Sequence, residues 1–347
     1  MSRKEVAKRA GVSEATVSRV LNSVGPIAEK TRDRVLAAAK ELNYHPSALA
    51  KNFVKRKSGN IGVILPYVPK VHIFSTYYFS EILSGVGEAV KQHGYDLLLL
   101  FTTPQEGVMN YSLYFQTQKV DACIILGARD TLEEREALED LERNGYPFCL
   151  VNQRFEGSNY NGVDADHVQG SYEAVQYLLQ QGAREIGFVN GPTMYSNSRD
   201  RLQGYRKALD EAGVAFRTDL LYEGNYSRKS GEALARVIAE QVPRPDAVFA
   251  ANDRMAIGLL QGWKAIGLEA GRDIALIGYD NSDTAKVTDP PLTSVDVPFF
   301  EMGRQAVQLL MDEMSAVNEL SEEHSKQRIH LLPTKLVVRR SSQWDHN

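Results

Sequence analysis

The chain of 347 residues holds 40 Lys+Arg against 44 Asp+Glu, a net charge of −4, with 43% hydrophobic residues and two cysteines. Such a length allows more than one domain, and no stretch approaches the ~20 apolar residues of a membrane span. Two cysteines exclude a disulfide scaffold, and MSRKEVAKR at the start contains no apolar secretory region, so a cytoplasmic location is expected.

The charge is unevenly placed. Residues 1–57 hold 13 Lys+Arg and five acids, a net of +8, which leaves −12 for residues 58–347. Within that basic segment, Ser2 is placed to cap a helix whose Val6, Ala7 and Ala10 share one face at helical spacing. Gly11 stops it, Val12 turns inward, and Ser13 caps a second helix over residues 14–21. Val17, Val20 and Leu21 bury that helix, leaving Glu14, Ala15, Thr16, Ser18, Arg19 and Asn22 on exposed faces or ends. A third helix over residues 29–43 offers Val35, Leu36, Ala39 and Leu42 to the same small core. Three helices with a tight turn between the first two form a helix-turn-helix, and Arg and Asn side chains read G and A edges in the major groove. A helical hairpin without DNA affinity shares this spacing; the coincident +8 favours the nucleic-acid head, since phosphate neutralisation supplies most non-specific DNA affinity.

The run EVAKRAGVSEATVSRVLN, followed by TRDRVLAAAKELNYHPSALAK, resembles the headpiece of the lactose-repressor/galactose-repressor family of bacterial transcription regulators. The shared motif falls on Val12, Ser13, Thr16, Val17, Ser18, Arg19, Val20 and Asn22. By that resemblance Glu14 and Ala15 select the operator sequence, while Ser18, Arg19 and Asn22 make the shared base and phosphate contacts. Ala28 stands where many members have a Ser or Thr cap, so the third helix loses about 1 kcal/mol at its start. Residues 1–46 are thus expected to form the headpiece, ended by Tyr44-His45-Pro46, and residues 47–59 a hinge helix and linker. The resemblance implies that Leu49, Ala50 and Phe53 meet the minor groove once two subunits pair. Phe53 replaces the family's wedging Leu; two roles are open to it, wedging between base pairs or packing under the core.

From residue 60 the pattern changes to apolar runs at 61–65, 97–101, 122–126, 148–151, 186–189, 247–251 and 274–279. Amphipathic stretches at 81–93, 132–144, 169–181, 201–212, 229–239 and 254–266 lie between most of them. Strand and helix in this rhythm predict parallel sheets covered on both faces, and the length predicts two lobes. The fold expected is an all-α helix-turn-helix headpiece plus an α/β core of two doubly wound parallel-sheet lobes, like a periplasmic binding protein. The resemblance implies three crossings between lobes, expected near 163–166, near 293–298 and within 318–328. The core then spans 60–340, with one lobe about 60–164 and 296–320 and the other about 165–295 and 328–340. Residues 341–347 form a solvated tail.

Tyr78, Phe79, Asn152, Arg201, Tyr226, Asn252 and Asp280 all fall where a strand gives way to a loop or helix, the usual place for a ligand in such sheets. Arg, Asp and Asn bond vicinal hydroxyls in pairs, and an aromatic face covers the apolar side of a sugar ring. The family match implies that Arg201, Asn252 and Asp280 bind hydroxyls, Tyr226 stacks, Tyr78 and Phe79 line the cleft, and Asn152 replaces a frequent Asp. Asn252 and Asp280 also suit structural turns, Arg201 a surface ion pair, and Asp166 and Asp253 read as N-caps. No phosphate loop, GxGxxG after a strand, HExxH or GxSxG occurs, the seven histidines lack metal-ligand spacing, and Cys123 and Cys149 read as buried apolar residues.

The expectation is therefore a non-enzymatic repressor without metal or cofactor, whose partners are double-stranded pseudo-palindromic operator DNA and a small-molecule effector. That effector is a sugar, with a nucleobase as the alternative on the same scaffold. The absence of Leu heptads after residue 338 suggests a homodimer rather than a tetramer.

Overall fold

The computed structural model describes residues 2–22, 25–44, 57–67, 73–102, 109–316 and 329–343. Leu49, Ala50 and Phe53, and with them the hinge expectation, lie outside the described residues.

The headpiece is built by local capping. Helix α1 (Arg3–Ala10) starts at Ser2, whose Oγ accepts from the Glu5 N–H while the Glu5 carboxylate accepts from the Ser2 N–H. These reciprocal bonds satisfy two donors that a helix start leaves orphaned. Gly11 takes φ +64°, which a side chain resists, and its N–H caps the end of α1. Ser13 Oγ accepts from Thr16 N–H at 3.1 Å to start α2 (Glu14–Leu21). Helix α3 (Glu29–Glu41) follows Ala28 and has no side-chain cap. Val6, Ala7, Ala10, Val17, Val20, Val35, Ala38 and Ala39 close the core, with Val12, Leu21 and Leu42 against it. Leu36, expected inside, is 47% exposed. The buried seam of α3 runs through 35, 38, 39 and 42, so Leu36 lies about 100° round the helix from it.

Among the described residues, twelve strands then form two six-stranded sheets. The first lobe contains β1 (Asn60–Pro66), β2 (Asp96–Thr102), β3 (Ala122–Leu126), β4 (Phe148–Val151) and β5 (Gly162–Ala165). Its helices are α4 (Tyr77–Gln92), α5 (Ser112–Gln116) and α6 (Leu132–Arg143). After β5 the chain enters the second lobe through α7 (His167–Gln180), followed by β6 (Ile186–Asn190), α8 (Ser196–Glu211), β7 (Leu221–Glu223) and α9 (Arg228–Glu240). That lobe continues with β8 (Ala247–Ala250), α10 (Asp253–Ala265), β9 (Ala275–Asp280), α11 (Asp283–Lys286) and β10 (Thr293–Asp296). Helix α12 (Phe299–Ala316) returns to pack on α4, and β11 (Ile329–Leu332) and β12 (Lys335–Val337) follow. The sheet orders are β11-β5-β4-β3-β1-β2 and β12-β10-β9-β8-β6-β7, all pairs parallel except β10 with β12.

The third crossing corrects the sequence expectation. Ile329–Leu332 pairs in parallel with Gly162–Ala165, so this segment belongs to the first lobe, and the chain crosses at Pro333-Thr334 rather than within 318–328. IHLL and KLV are similarly apolar, and nothing local tells which sheet each joins; Pro333, which has no N–H for a ladder, marks the break. The expected tail is also corrected. Ser341 and Ser342 are fully buried, and Ser341 Oγ accepts from Thr293 N–H at 2.8 Å and donates to the Leu276 carbonyl at 2.7 Å. Arg339, just before that tail, donates to the Leu292 carbonyl and Asn281 Oδ1.

Helices α9 and α10 pack closely because Gly258 has no side chain: a Cβ there would stand 2.1 Å from the Arg228 carbonyl oxygen. This approach sets the loops before both helices side by side at the carboxyl ends of β7 and β8.

Candidate effector site and DNA-binding surface

On α2, Ala15, Ser18, Arg19 and Asn22 fall at spacings of three and four, forming one stripe opposite the buried Val17 and Val20. Glu14, Ala15 and Arg19 are exposed, while Thr16, Ser18 and Asn22 are half-buried. Ser13 is taken up by capping, and Asn22 donates to Ser18 Oγ at 3.3 Å. The Glu14 carboxylate meets Arg3 Nε at 3.3 Å, whereas Arg19 makes no ion pair with any described residue.

All seven residues expected at the cleft line a single cavity of about 290 Å³ between the lobes. Tyr78 and Phe79 come from the first turn of α4, where Tyr78 packs edge-on against Phe79 and against Phe299 at the start of α12. Three of the seven hold left-handed backbone: Asn152 at φ +60°, Tyr226 at +64° and Asp280 at +106°. Such conformations are costly outside glycine and persist where surrounding structure enforces them, commonly at ligand sites.

Arg201 is the centre of the polar wall. It is 3% exposed and lies in the second turn of α8, which begins at Ser196, earlier than the sequence suggests. Its guanidinium sits 4.2 Å over the Tyr279 ring and donates to Tyr226 Oη at 3.3 Å and Asn197 Oδ1 at 3.5 Å. No carboxylate forms an ion pair with it among the described residues, and its Nε has no partner. A buried cation held only by neutral groups is costly unless a ligand adds acceptors.

Asp280 is buried beside it. Burial, then the charge of Asp253, raises its carboxyl well above the usual range, while Arg201 and Arg254 pull the other way. Asp253 is pushed up to about 6 by burial, opposed by hydrogen bonds from Ser294 and Ser282. Asn252, not Asp253, caps α10: its Oδ1 accepts from Met255 N–H at 2.9 Å and its Nδ2 donates to the Tyr226 carbonyl at 3.1 Å. Asn252 therefore holds the wall together and keeps one amide hydrogen for the cavity. Asp166 does cap α7, through Gln169 N–H.

The lobes are tied beside the cavity. Asn197 Nδ2 donates to the Asn152 carbonyl, Ser196 N–H to Gln153 Oε1, and Arg154 pairs with buried Asp164 and with Asp200. His167, also buried, donates from Nε2 to Asn152 Oδ1 at 2.7 Å and accepts at Nδ1 from Tyr279 Oη at 3.1 Å, the tautomer following from this network. Burial, then the charge of Arg201, lowers its pKa, which keeps it neutral. Sequence reasoning missed His167, Asn197, Tyr195, Phe299 and Arg254; only Asn197 had a signal, standing four residues before Arg201 on one helix face.

A model of bacterial regulatory proteins of the lacI family matches residues 3–47, and one of a periplasmic binding protein-like domain matches residues 175–342. The HTH-type transcriptional repressor CytR of Escherichia coli (strain K12) is 31% identical over 340 residues, covering 98% of this chain and 95% of that protein. The chain belongs to the LacI family. The HTH-type transcriptional repressor PurR of Vibrio campbellii is 32% identical over 337 residues, 97% of each. Among solved structures, a lac repressor dimer bound to operator and the anti-inducer ONPF has TM-score 0.85 at 27% identity, covering 99% of each chain. A complex of the transcriptional regulator CelR with cellobiose has TM-score 0.74 at 30% identity, covering 99% of this chain and 100% of that one. This LacI-family chain is accordingly a DNA-binding transcriptional regulator with two parallel-sheet lobes of the periplasmic-binding-protein type. Among the described residues no helix is long and apolar enough to cross a membrane.

Proposed function

We propose that this LacI-family chain is a cytoplasmic repressor whose operator affinity is switched by a sugar held between the lobes. The observation that carries the reading is Arg201: a buried guanidinium without a carboxylate partner, in a cavity lined by both lobes. Arg201, Asp280 and the free hydrogen of Asn252 supply paired bonds to vicinal hydroxyls. Tyr226, Tyr78, Phe79 and Phe299 supply apolar faces for a ring. Asn152 holds His167 and receives Asn197, so a ligand touching it acts on both lobes at once. A ligand shifts the lobes only if it binds their two arrangements with different affinity, and the first lobe transmits that shift to the headpieces. The aromatic surfaces also suit a planar heterocycle, which keeps a nucleobase-type corepressor as the second reading.

The repressor acts as a homodimer on a pseudo-palindrome, each α2 offering Glu14, Ala15, Ser18, Arg19 and Asn22 to one half-site. Exposed Leu97 and Phe101 on β2, the edge strand of the first sheet, support pairing through that lobe. The decisive experiment selects an operator from random duplexes and reads its affinity by fluorescence anisotropy against a panel of sugars and nucleobases. Arg201→Ala is expected to bind operator and lose the effector response; an unchanged response removes the cavity assignment.

A further inference from the structure

Arg254 stands apart from the residues above. It lines the cavity from the second position of α10, is half-buried, and makes no hydrogen bond or ion pair with any described residue. Its charge is opposed more than matched: burial, then the neighbouring Arg228, lowers the guanidinium pKa, and only Asp280 acts the other way. Arg228, the first residue of α9, likewise has no acidic partner among the described residues. Both arginines stand in the first turn of a helix, the positive end, where a cation is electrostatically disfavoured. Gly258 holds these two helix starts together, although the Arg228 side chain itself is exposed to solvent.

The nearby acids do not absorb this charge. Asp253 uses both carboxylate oxygens on its own lobe, accepting from Ser282 N–H at 2.7 Å and Ser294 Oγ–H at 2.6 Å. Asp280 feels the charge of both Arg254 and Arg201 but forms an ion pair with neither, and the Arg201 Nε is itself unpartnered. Arg201 and Arg254 on the cavity wall, with Arg228 exposed outside it, therefore face one carboxylate not already hydrogen-bonded within its lobe. A local electrostatic conflict of this kind, tolerated inside a ligand cavity, points to a compensating charge on the ligand.

We infer that the effector is an acidic sugar derivative, whose carboxylate or phosphate seats against Arg254 while its ring hydroxyls go to Arg201 and Asp280. The inference rests on the interlobe cavity being the effector site. An anion there offsets the repulsion between Arg254 and Arg228, and the planar guanidinium fork matches either oxyanion in paired geometry. Arg254 is thereby the residue that sets specificity for charge, and Arg201 the one that recognises the polyol.

The test uses the full chain and matched ligand sets: hexoses and pentoses, their uronic acids and their terminal phosphate esters, with binding measured by calorimetry and operator release by anisotropy. A charged member is expected to bind at least about tenfold tighter than its neutral parent, a difference within reach of one charge-assisted pair. Arg254→Gln is expected to erase that ratio and Arg254→Lys to retain most of it. The uronic acid and phosphate arms separate the two anion sources. A neutral sugar binding as tightly as its charged derivatives, an unaltered ratio in Arg254→Gln, or no binding by any charged member overturns the inference. Operator release by neutral sugars alone overturns it while leaving the interlobe effector site standing, whereas indifference to every ligand, in wild type and Arg201→Ala alike, counts against both.

Discussion

Gly258→Ala separates two effects of opposite sign. In an isolated helix interior, alanine is favoured over glycine by about 1 kcal/mol, so propensity alone predicts a more stable protein. The packing predicts the reverse. The new Cβ would lie 2.1 Å from the Arg228 carbonyl oxygen and 2.6 Å from the Glu232 nitrogen, both backbone atoms, and ordinary contact begins at 3.4 Å. Helices α9 and α10 must therefore part by more than 1 Å, which in a packed core costs about 1–3 kcal/mol and outweighs the propensity gain. Gly87→Ala is the internal control, because it lies in α4 and its Cβ would meet nothing within 4 Å. Urea midpoints should move in opposite directions, Gly87→Ala upward and Gly258→Ala downward. The separation of α9 from α10 should also weaken the bond from Asn252 to the Tyr226 carbonyl, lowering effector response per mole of ligand. If Gly258→Ala tracks Gly87→Ala in stability and keeps the full effector response, the close approach does not hold the cavity wall.

Two further outcomes are expected. Arg19→Ala should weaken specific operator binding by about 1–3 kcal/mol and relax sequence preference; an equal loss on operator and random DNA, measured at one salt concentration, would mean a phosphate contact instead. Asp253→Asn should change stability with pH. The folded carboxyl titrates at about 6, above its ordinary 3.8, so the folded state favours the protonated form. That contribution is present below pH ~4 and lost as pH rises through ~6, costing the wild type about 3 kcal/mol at neutrality relative to acid. The variant, whose amide keeps bonds to Ser282 and Ser294, should be the more stable at pH 7 by an amount that shrinks towards pH 4. The Asp280 carboxyl is raised as well, so the difference between the two proteins is the readout, and parallel pH profiles would refute the burial of a charge at Asp253.

The parts of this molecule legible in the sequence are those made by short-range chemistry. Ser2, Gly11 and Ser13 mark the headpiece turns because a cap acts within three residues, and the apolar runs of β3, β4 and β9 mark buried strands. Asn152, Tyr226, Asn252 and Asp280 stand out by position, each at or just beyond the end of a strand, whereas Tyr78, Phe79 and Arg201 come from helices further on. What stayed hidden depends on distant partners. β11 joins the first sheet through β5, far back in the chain. Ser341 and Ser342 are buried by backbone atoms near Leu276 and Thr293. His167 and Arg254 look like an ordinary helix start until the opposite lobe or the neighbouring helix is placed beside them. Leu36 shows the converse: apolar composition placed it inside, and the helical angle placed it out.

The late closure of both sheets has a consequence for synthesis. β5 ends at Ala165 but its outer neighbour begins at Ile329, and β10 waits for Lys335–Val337. As the chain leaves the ribosome, the headpiece can fold early, while each lobe shows an unpaired strand edge until residues 329–337 have emerged. A nascent repressor of this design carries a finished DNA reader on an unfinished sensor, and stalled or truncated chains should be the ones that aggregate.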